Sequence, residues 1–395
     1  MRRSTILVVG LLVLGALALS TPSAWAIPAF ARKNNLACSS CHSAVPYLNS
    51  TGRTFKETGF ILPDEDGEID FDAQPGNQKI SNSLIFDKVY PISARIKGYI
   101  VDDQEGSDTK IRPIHEIEIF SAGNFWKKGS WFWELEGEDE EDFEIGVGGN
   151  FAWHQNRQLN FQLGFGSIFH PDPYNSLQDG GHRLTVSHKI PLDVGKSVDA
   201  RFRKGAQYLA LYGRSKDFFY LLSYSAGNGN PEGENPKDFL GRVAYDFTPD
   251  LMVGAFYYGG ERDDGFVDLT RWGIDWNLAF SNFSIDGMFM ESEEDFANIP
   301  VGEEFVPIPD QKNTAGFLEL FYTHRRDGRP FIVPLLRYGF TELNDGADRV
   351  AVVTAQLGFY VIENMKLALE VSTETDQVPG EEKLSRFTLL ADLAF

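Results

Sequence analysis

From about Ile92 to Phe395 the chain alternates with a period of two, apolar residues against polar or small ones. In Phe143-Glu144-Ile145-Gly146-Val147-Gly148-Gly149-Asn150-Phe151-Ala152-Trp153-His154 the odd positions are apolar or Gly and the even ones small or polar. In the next run Leu159, Phe161, Leu163, Phe165 and Phe169 share one face, while Asn160, Gln162, Gly164 and Gly166 share the other. Successive side chains of a strand point to opposite faces, so this pattern predicts strands with one apolar side. Similar segments lie near 111–121, 250–259, 267–279, 349–361 and 384–395. A soluble sandwich alternates too. Persistence over about 300 residues, aromatic side out and polar side in with no helical interlude, predicts a transmembrane barrel instead.

The connections support the same reading. Ser215-Lys216-Asp217, Thr248-Pro249-Asp250, Ser281-Asn282, Arg326-Asp327-Gly328 and Ile362-Glu363-Asn364 read as tight turns. Longer stretches, 226–237, 260–266, 292–312 and 375–383, fall between them. Short periplasmic turns alternating with long extracellular loops are the habit of outer-membrane barrels, and counting this way gives roughly 16 to 18 antiparallel strands. The last alternating strand, Leu384 to Phe395, ends on a terminal Phe, a feature of bacterial outer-membrane barrels. Only one face of each strand meets lipid, so lumen and loops can carry the formal charge of −21. That acidity argues against nucleic acid, whose phosphates need Lys and Arg to displace counterions.

Residues 1–26 read as a cleavable export signal. Arg2 and Arg3 precede an apolar stretch from Ile6 to Leu19, and Ala24-Trp25-Ala26 supplies the small–x–small cleavage pattern. Removing Arg2 and Arg3 takes the charge from −21 to −23. No later segment is apolar enough for a membrane helix. The expected organisation is therefore 1–26 signal, 27–75 a small first domain, 76–91 a linker and 92–395 the barrel, located in the outer membrane.

Both cysteines of the chain, Cys38 and Cys41, stand in Cys38-Ser39-Ser40-Cys41-His42. In a C-x-x-C-H run two thiols reach the two vinyl groups of one haem, and the adjacent imidazole reaches the iron. A thioredoxin-like pair needs a βαβ context, and zinc needs more Cys or His nearby. The motif therefore predicts one covalent haem c on Cys38 and Cys41, with His42 as proximal iron ligand. The sixth ligand stays open, because no Met or His lies between Ser43 and Ile114. Met252, Met288, Met290, Met365, His115, His154, His170, His182, His188 and His324 come later; Lys33, Lys56 and the Ile27 amine are local; the iron could also be five-coordinate. Leu36, Val45, Tyr47, Leu48, Phe55 and Phe60 offer thin apolar cover, so so short a segment needs walls from elsewhere in the protein.

Pro28-Ala29-Phe30-Ala31-Arg32 with Cys38-Ser39-Ser40-Cys41-His42, followed by Pro46, Leu48-Asn49, Gly52, Phe55 and Gly59-Phe60, resembles the fused monohaem cytochrome–porin family. These are outer-membrane c-type cytochromes associated with iron(II) oxidation. The specific match covers about residues 27–60; the barrel agrees in size and architecture. The resemblance implies a small α-helical cytochrome domain held in the barrel lumen. Electrons would pass from extracellular Fe(II), or another redox donor or acceptor, to a periplasmic electron carrier. A porin for solute passage, with a haem-bearing plug or sensor, is the alternative of another class. Porins often form homotrimers, though a barrel plugged by its own domain need not.

With these strand phases Glu116, Glu118, Glu134, Glu136 and Glu144 point into the lumen on neighbouring strands, and Glu138 to Asp142 make an acidic turn at the outer rim. Carboxylate oxygens suit a hard divalent cation, and a negative mouth concentrates it. The plainer reading is a polar lumen in which Arg112, Arg201 and Arg203 neutralise the acids. His154 and His170 are expected on the inward face as ordinary lumen or rim histidines, with His182 and His188 flanking a further strand. The run Glu291 to Asp295 reads as the start of a solvated loop.

Overall fold

In a computed structural model the described residues are 29–62 except 35, residue 69, and 92–395. Within the last range 126–127, 140–142, 169, 175, 178–182, 192–205, 227–236, 263–266, 297–298, 302–303, 307–309, 378–379 and 381–382 are excluded. The signal segment, the linker, Arg201, Arg203, His182 and the rim residues 140–142 lie outside the described residues.

The alternating region closes into an antiparallel barrel. Its strands are β1 (Ile92–Gln104), β2 (Lys110–Phe125), β3 (Gly129–Asp139), β4 (Phe143–Asn156), β5 (Leu159–Gly166), β6 (Ala206–Ser215), β7 (Phe218–Ser225) and β8 (Asp238–Thr248). There follow β9 (Leu251–Arg262), β10 (Val267–Phe280), β11 (Phe283–Phe296), β12, β13 (Arg329–Leu343), β14 (Asp348–Ile362), β15 (Met365–Asp376) and β16 (Ser385–Ala394). Gln311–Tyr322 and His324–Arg326 both pair with β13 and form one strand, β12, interrupted at Thr323. The seventeen hydrogen-bonded segments therefore make sixteen strands, the lower end of the expected range. Closure joins β16 to β1, with Ala394 opposite Arg95. A closed barrel has no edge, so each described barrel strand has a hydrogen-bonded neighbour on both sides, as an apolar medium requires.

Alternation does what the pattern predicts. Ile145, Phe151, Leu163, Leu209, Trp272 and Leu336 are exposed on the outside. Arg242, Asp275, Asp286, Glu319 and Arg337 are wholly buried inside. All five predicted tight turns join successive strands at one end. At Asp327-Gly328 both φ angles are positive, 54° and 79°, the geometry of a two-residue hairpin turn. An even strand count brings the barrel's first strand and the C-terminus to this same turn end, where Ala94 and Phe395 exchange backbone hydrogen bonds.

Two expectations are corrected. Glu291 to Asp295 is not a loop: it continues β11, with Ser292 and Glu294 buried inward and Glu291 and Glu293 beside Lys312. The alternation simply runs further than the acidic composition suggests. Residues 183–187 form no strand; with residues 188–190 they lie in the lumen against inward-facing side chains of the wall.

Residues 29–62 also sit inside the barrel, at its turn end. Helix α1 (Ala29–Asn34), a tight 3-10 turn at Cys38–Ser40, a hairpin of His42–Ala44 with Tyr47–Leu48, and helix α2 (Ser50–Glu57) make up this insert. Asn49 caps α2, its Oδ1 accepting from Gly52 N at 3.0 Å. Phe30, Phe55 and Phe60 form its own small core, with ring centroids 4.5–5.7 Å apart. Ala44 and Tyr47 instead share a buried cluster with Leu184, Phe321, Val333, Leu335 and Tyr360, so barrel walls supply the missing cover.

Candidate functional site

The Cys-x-x-Cys-His turn lies beside the β14–β15 turn. Glu363 of that turn accepts from Cys38 N at 2.7 Å and from Ser39 Oγ at 3.3 Å, and Arg329 pairs with it at 3.2 Å. Asn49 Nδ2 donates to Ser40 O at 3.1 Å and so ties the turn to α2. A Cβ on Gly52 would lie 2.1 Å from Cys41 O, so only glycine lets α2 approach this closely. Cys38 and Cys41 are both free and partly exposed. Burial, then the Glu363 carboxylate, pushes the Cys38 thiol up to about 11, and burial raises Cys41 as well. Redox-active thiol pairs need a lowered pKa, so this pair is a poor dithiol catalyst. His42 Nδ1 donates to Pro46 O at 3.1 Å, so Nε2 is the nitrogen that could serve as a metal ligand. Burial holds this imidazole below its ordinary pKa and hence neutral, the form that binds a metal. Two free thiols, a neutral and oriented imidazole, and their spacing all fit a haem c.

The insert is held by charges on the wall. Arg214 of β6 donates to Glu57 at 2.6–3.1 Å, and its other arm reaches Asp246 of β8. Tyr47 Oη lies 2.7 Å from Asp286 Oδ2 and 2.6 Å from Glu319 Oε1. Tyr360 Oη donates to Val45 O at 2.8 Å, and Arg325 reaches Ser43 O at 3.2 Å.

Above it, the described residues among 170–191 reach into the lumen and meet the inward faces of β8, β11, β13 and β15. Asp172 pairs with Arg242 at 3.1 Å, Tyr174 Oη donates to Asp246, Lys189 pairs with Asp286 at 3.1 Å, and Arg337 donates to Ser187 Oγ at 2.7 Å. Glu370 accepts from Val186 N, Ser187 N and Ser187 Oγ at 2.7–2.8 Å. Asp286 serves both inserts, so the two are coupled through one carboxylate.

Among the expected sixth ligands, His154 faces the lumen with both ring nitrogens engaged, Nε2 with Ser130 at 2.8 Å and Nδ1 with Asn160 at 3.0 Å. His170 also faces inward, beside Asn150 and Gln162. His115 stacks on Tyr99 with its Nδ1 2.6 Å from Asp139. Lys56 Nζ donates to Asp172 O at 2.8 Å. Met252, Met288 and Met290 are buried in a separate apolar cluster. The side chains of Lys33 and Glu144, and all of Ile27, lie outside the described residues.

Glu116 and Glu118 are buried on the inward face of β2, and Glu134 and Glu136 are half-buried on β3. The cations beside them are not Arg112, which turns to Asp139, but Arg95 and Lys97 of β1. Sequence reading missed these two although they stand at i and i+2 on the strand before. Their two-residue spacing was the available signal. It also missed Glu57–Arg214 and Glu363, whose partners lie far away in the chain.

No family model matches this chain, and no curated protein does. Among solved structures it is similar to the anion-selective porin from Comamonas acidovorans, with a TM-score of 0.55 at 11% identity over 77% of this chain and 98% of that one. OmpT, an outer membrane protein of Vibrio cholerae, aligns with a TM-score of 0.54 at 12% identity over 77% and 98%. The outer membrane channel DcaP of Acinetobacter baumannii aligns at 0.51 and 10% over 77% and 95%. The fold is that of the porin barrels.

Proposed function

We propose that this protein is an outer-membrane electron conduit that takes electrons from extracellular Fe(II) and delivers them to a periplasmic carrier. The observation that carries the reading is the Cys38–Cys41–His42 turn inside the turn end of a porin-like barrel, with His42 Nδ1 held by Pro46 O. Cys38 and Cys41 would hold a single haem c and His42 Nε2 would bind its iron. When bound, that group supplies one-electron transfer. The chain's own residues do the rest. Barrel walls near Phe321, Val333 and Leu335 shield the insert from the lipid, and Glu363 fixes the attachment turn near the periplasmic mouth. Glu116, Glu118, Glu134 and Glu136 make the wall negative and attractive to a ferrous donor.

A porin for solute passage is the second reading, favoured by neighbours named as porin and channel. Against it stand the two inserts packed inside the lumen. The test uses the haem-loaded protein in detergent, its visible spectrum followed anaerobically at neutral pH as ferrous iron is added. Prompt reduction supports the conduit. Reduction by dithionite but not by ferrous iron removes the iron assignment, and large liposome ion currents favour the porin.

A further inference from the structure

The acidic wall carries a geometry sharper than a diffuse negative field. In the β2–β3 register Glu118 stands directly opposite Glu136, and Glu116 opposite Glu138. Like charges directly opposite on paired strands repel and destabilise the pairing. Here the facing carboxyl groups stand inside the barrel, where Glu116 is 2% and Glu118 1% exposed. Carboxylate oxygens of Glu116, Glu118 and Glu136 lie within 4.8 Å of one another, and Glu116 also groups with His115 and Glu138.

Compensation from the protein is partial. Lys97 binds Glu116 Oε2, and Arg95 Nη1 reaches Glu118 at 3.1 Å. Arg95 is shared with Asp392, at 2.8 Å. Glu134 and Glu136 have no hydrogen bond or ion pair among the described residues. Glu116 Oε1 is buried and accepts no hydrogen bond; its nearest cation, Arg95 Nη1, is 3.7 Å away. A buried carboxylate oxygen without a donor is costly, and this one belongs to the residue that both acidic groups share.

We propose that Glu116, Glu118 and Glu136 form a binding site for one hard divalent cation on the barrel wall, with Glu116 Oε1 as its central ligand. Three carboxylates on two hydrogen-bonded strands give oxygen ligands on a rigid frame, the chemistry that manganous, ferrous or magnesium ions prefer. One cation relieves the Glu118–Glu136 repulsion and satisfies the orphaned oxygen together. As a resting place for a ferrous donor the site rests on the conduit reading; as a cation site it stands on the register and the orphaned oxygen.

The test is Mn(II) alone, titrated into the haem-loaded protein in detergent and followed by the loss of the free-ion electron paramagnetic resonance signal. The expected result is one saturable site per chain, weakened tenfold or more in Glu116→Gln and in Glu136→Gln and unchanged in Glu293→Gln. Glu136→Gln has no ion pair to lose, so it tests the site even if Glu116→Gln folds poorly. Absence of saturable binding, or equal binding in wild type and Glu136→Gln, overturns the site. The two readings also separate. Mn(II) binding as expected without reduction of the haem by ferrous iron keeps the site and removes the conduit. Reduction by ferrous iron without saturable Mn(II) binding removes the site and keeps the conduit.

Discussion

Arg214 on the barrel wall and Glu57 at the end of the second N-terminal helix are joined by a guanidinium–carboxylate contact whose shortest hydrogen bond is 2.6 Å, with both side chains 6% exposed. Removing one member of a buried pair strands the other charge, at a cost of about 3–5 kcal/mol. Arg214→Met is therefore expected to undock the N-terminal insert while the barrel stays closed. Limited proteolysis of folded protein reads this directly, as cleavage within residues 29–62 at protease levels that leave the wild type intact. Glu57→Gln combined with Arg214→Met should recover part of the protection.

Gly59 has φ +69°, and a Cβ there would lie 2.1 Å from His154 Nε2. Gly59→Ala adds a left-handed non-glycine residue and a collision in one step, at about 1–3 kcal/mol for the backbone alone. Adding His154→Ala should restore the space but not the backbone conformation. The temperature at which the insert is released should therefore fall sharply in the single variant and recover only in part in the double. Full recovery would mean that the collision was the whole effect.

The second lumen segment hangs on Glu370, which accepts from two backbone amides and one hydroxyl. Glu370→Ala leaves the two amides without an acceptor and loosens residues 183–190 on β15, where Lys366, donating to Leu184 O at 3.0 Å, and the Val186–Ala368 packing remain. Ion conductance in planar bilayers should rise several-fold over the wild type. An unchanged conductance would show that the N-terminal insert alone seals the barrel.

Burial lowers Lys56 to about 8 from its ordinary 10.5. Between these values the undocked chain keeps the proton and the docked one releases it, so docking strengthens as pH rises from about 8 to about 10.5. Below pH 8 both states are protonated and the slope disappears. Proteolytic protection of the insert measured from pH 7 to 9, below the range in which the raised Cys38 thiol opposes the trend, should show the rise, and Lys56→Met should flatten it.

Much of the fold was legible because it is local. Alternation such as Leu159 to Gly166 states which side of a strand is apolar, and Asp327-Gly328 states where a strand must reverse. Neither needs distant partners. The C-x-x-C-H spacing is local in the same sense: whatever Cys38, Cys41 and His42 hold, they hold it within one turn and a hairpin. Inward placement of Glu116, Glu118, Glu134 and Glu136 followed from the same period of two. Acidic composition misled at Glu291 to Asp295, where the period continued and the strand with it.

The sequence by itself determined a barrel of roughly 16 to 18 strands, its turn end and the thiol and imidazole spacing of Cys38, Cys41 and His42, because each depends on neighbours two or three residues apart. Only the tertiary structure decided what fills the lumen. Tyr47 meets Asp286 across 239 positions, Glu57 meets Arg214 across 157, and Val186 meets Glu370 across 184. Those partners come together only when β16 closes on β1 and sets which inward side chains face one another. The same closure and register put Arg95 and Lys97 beside two of four acids and left Glu116 Oε1 without a donor.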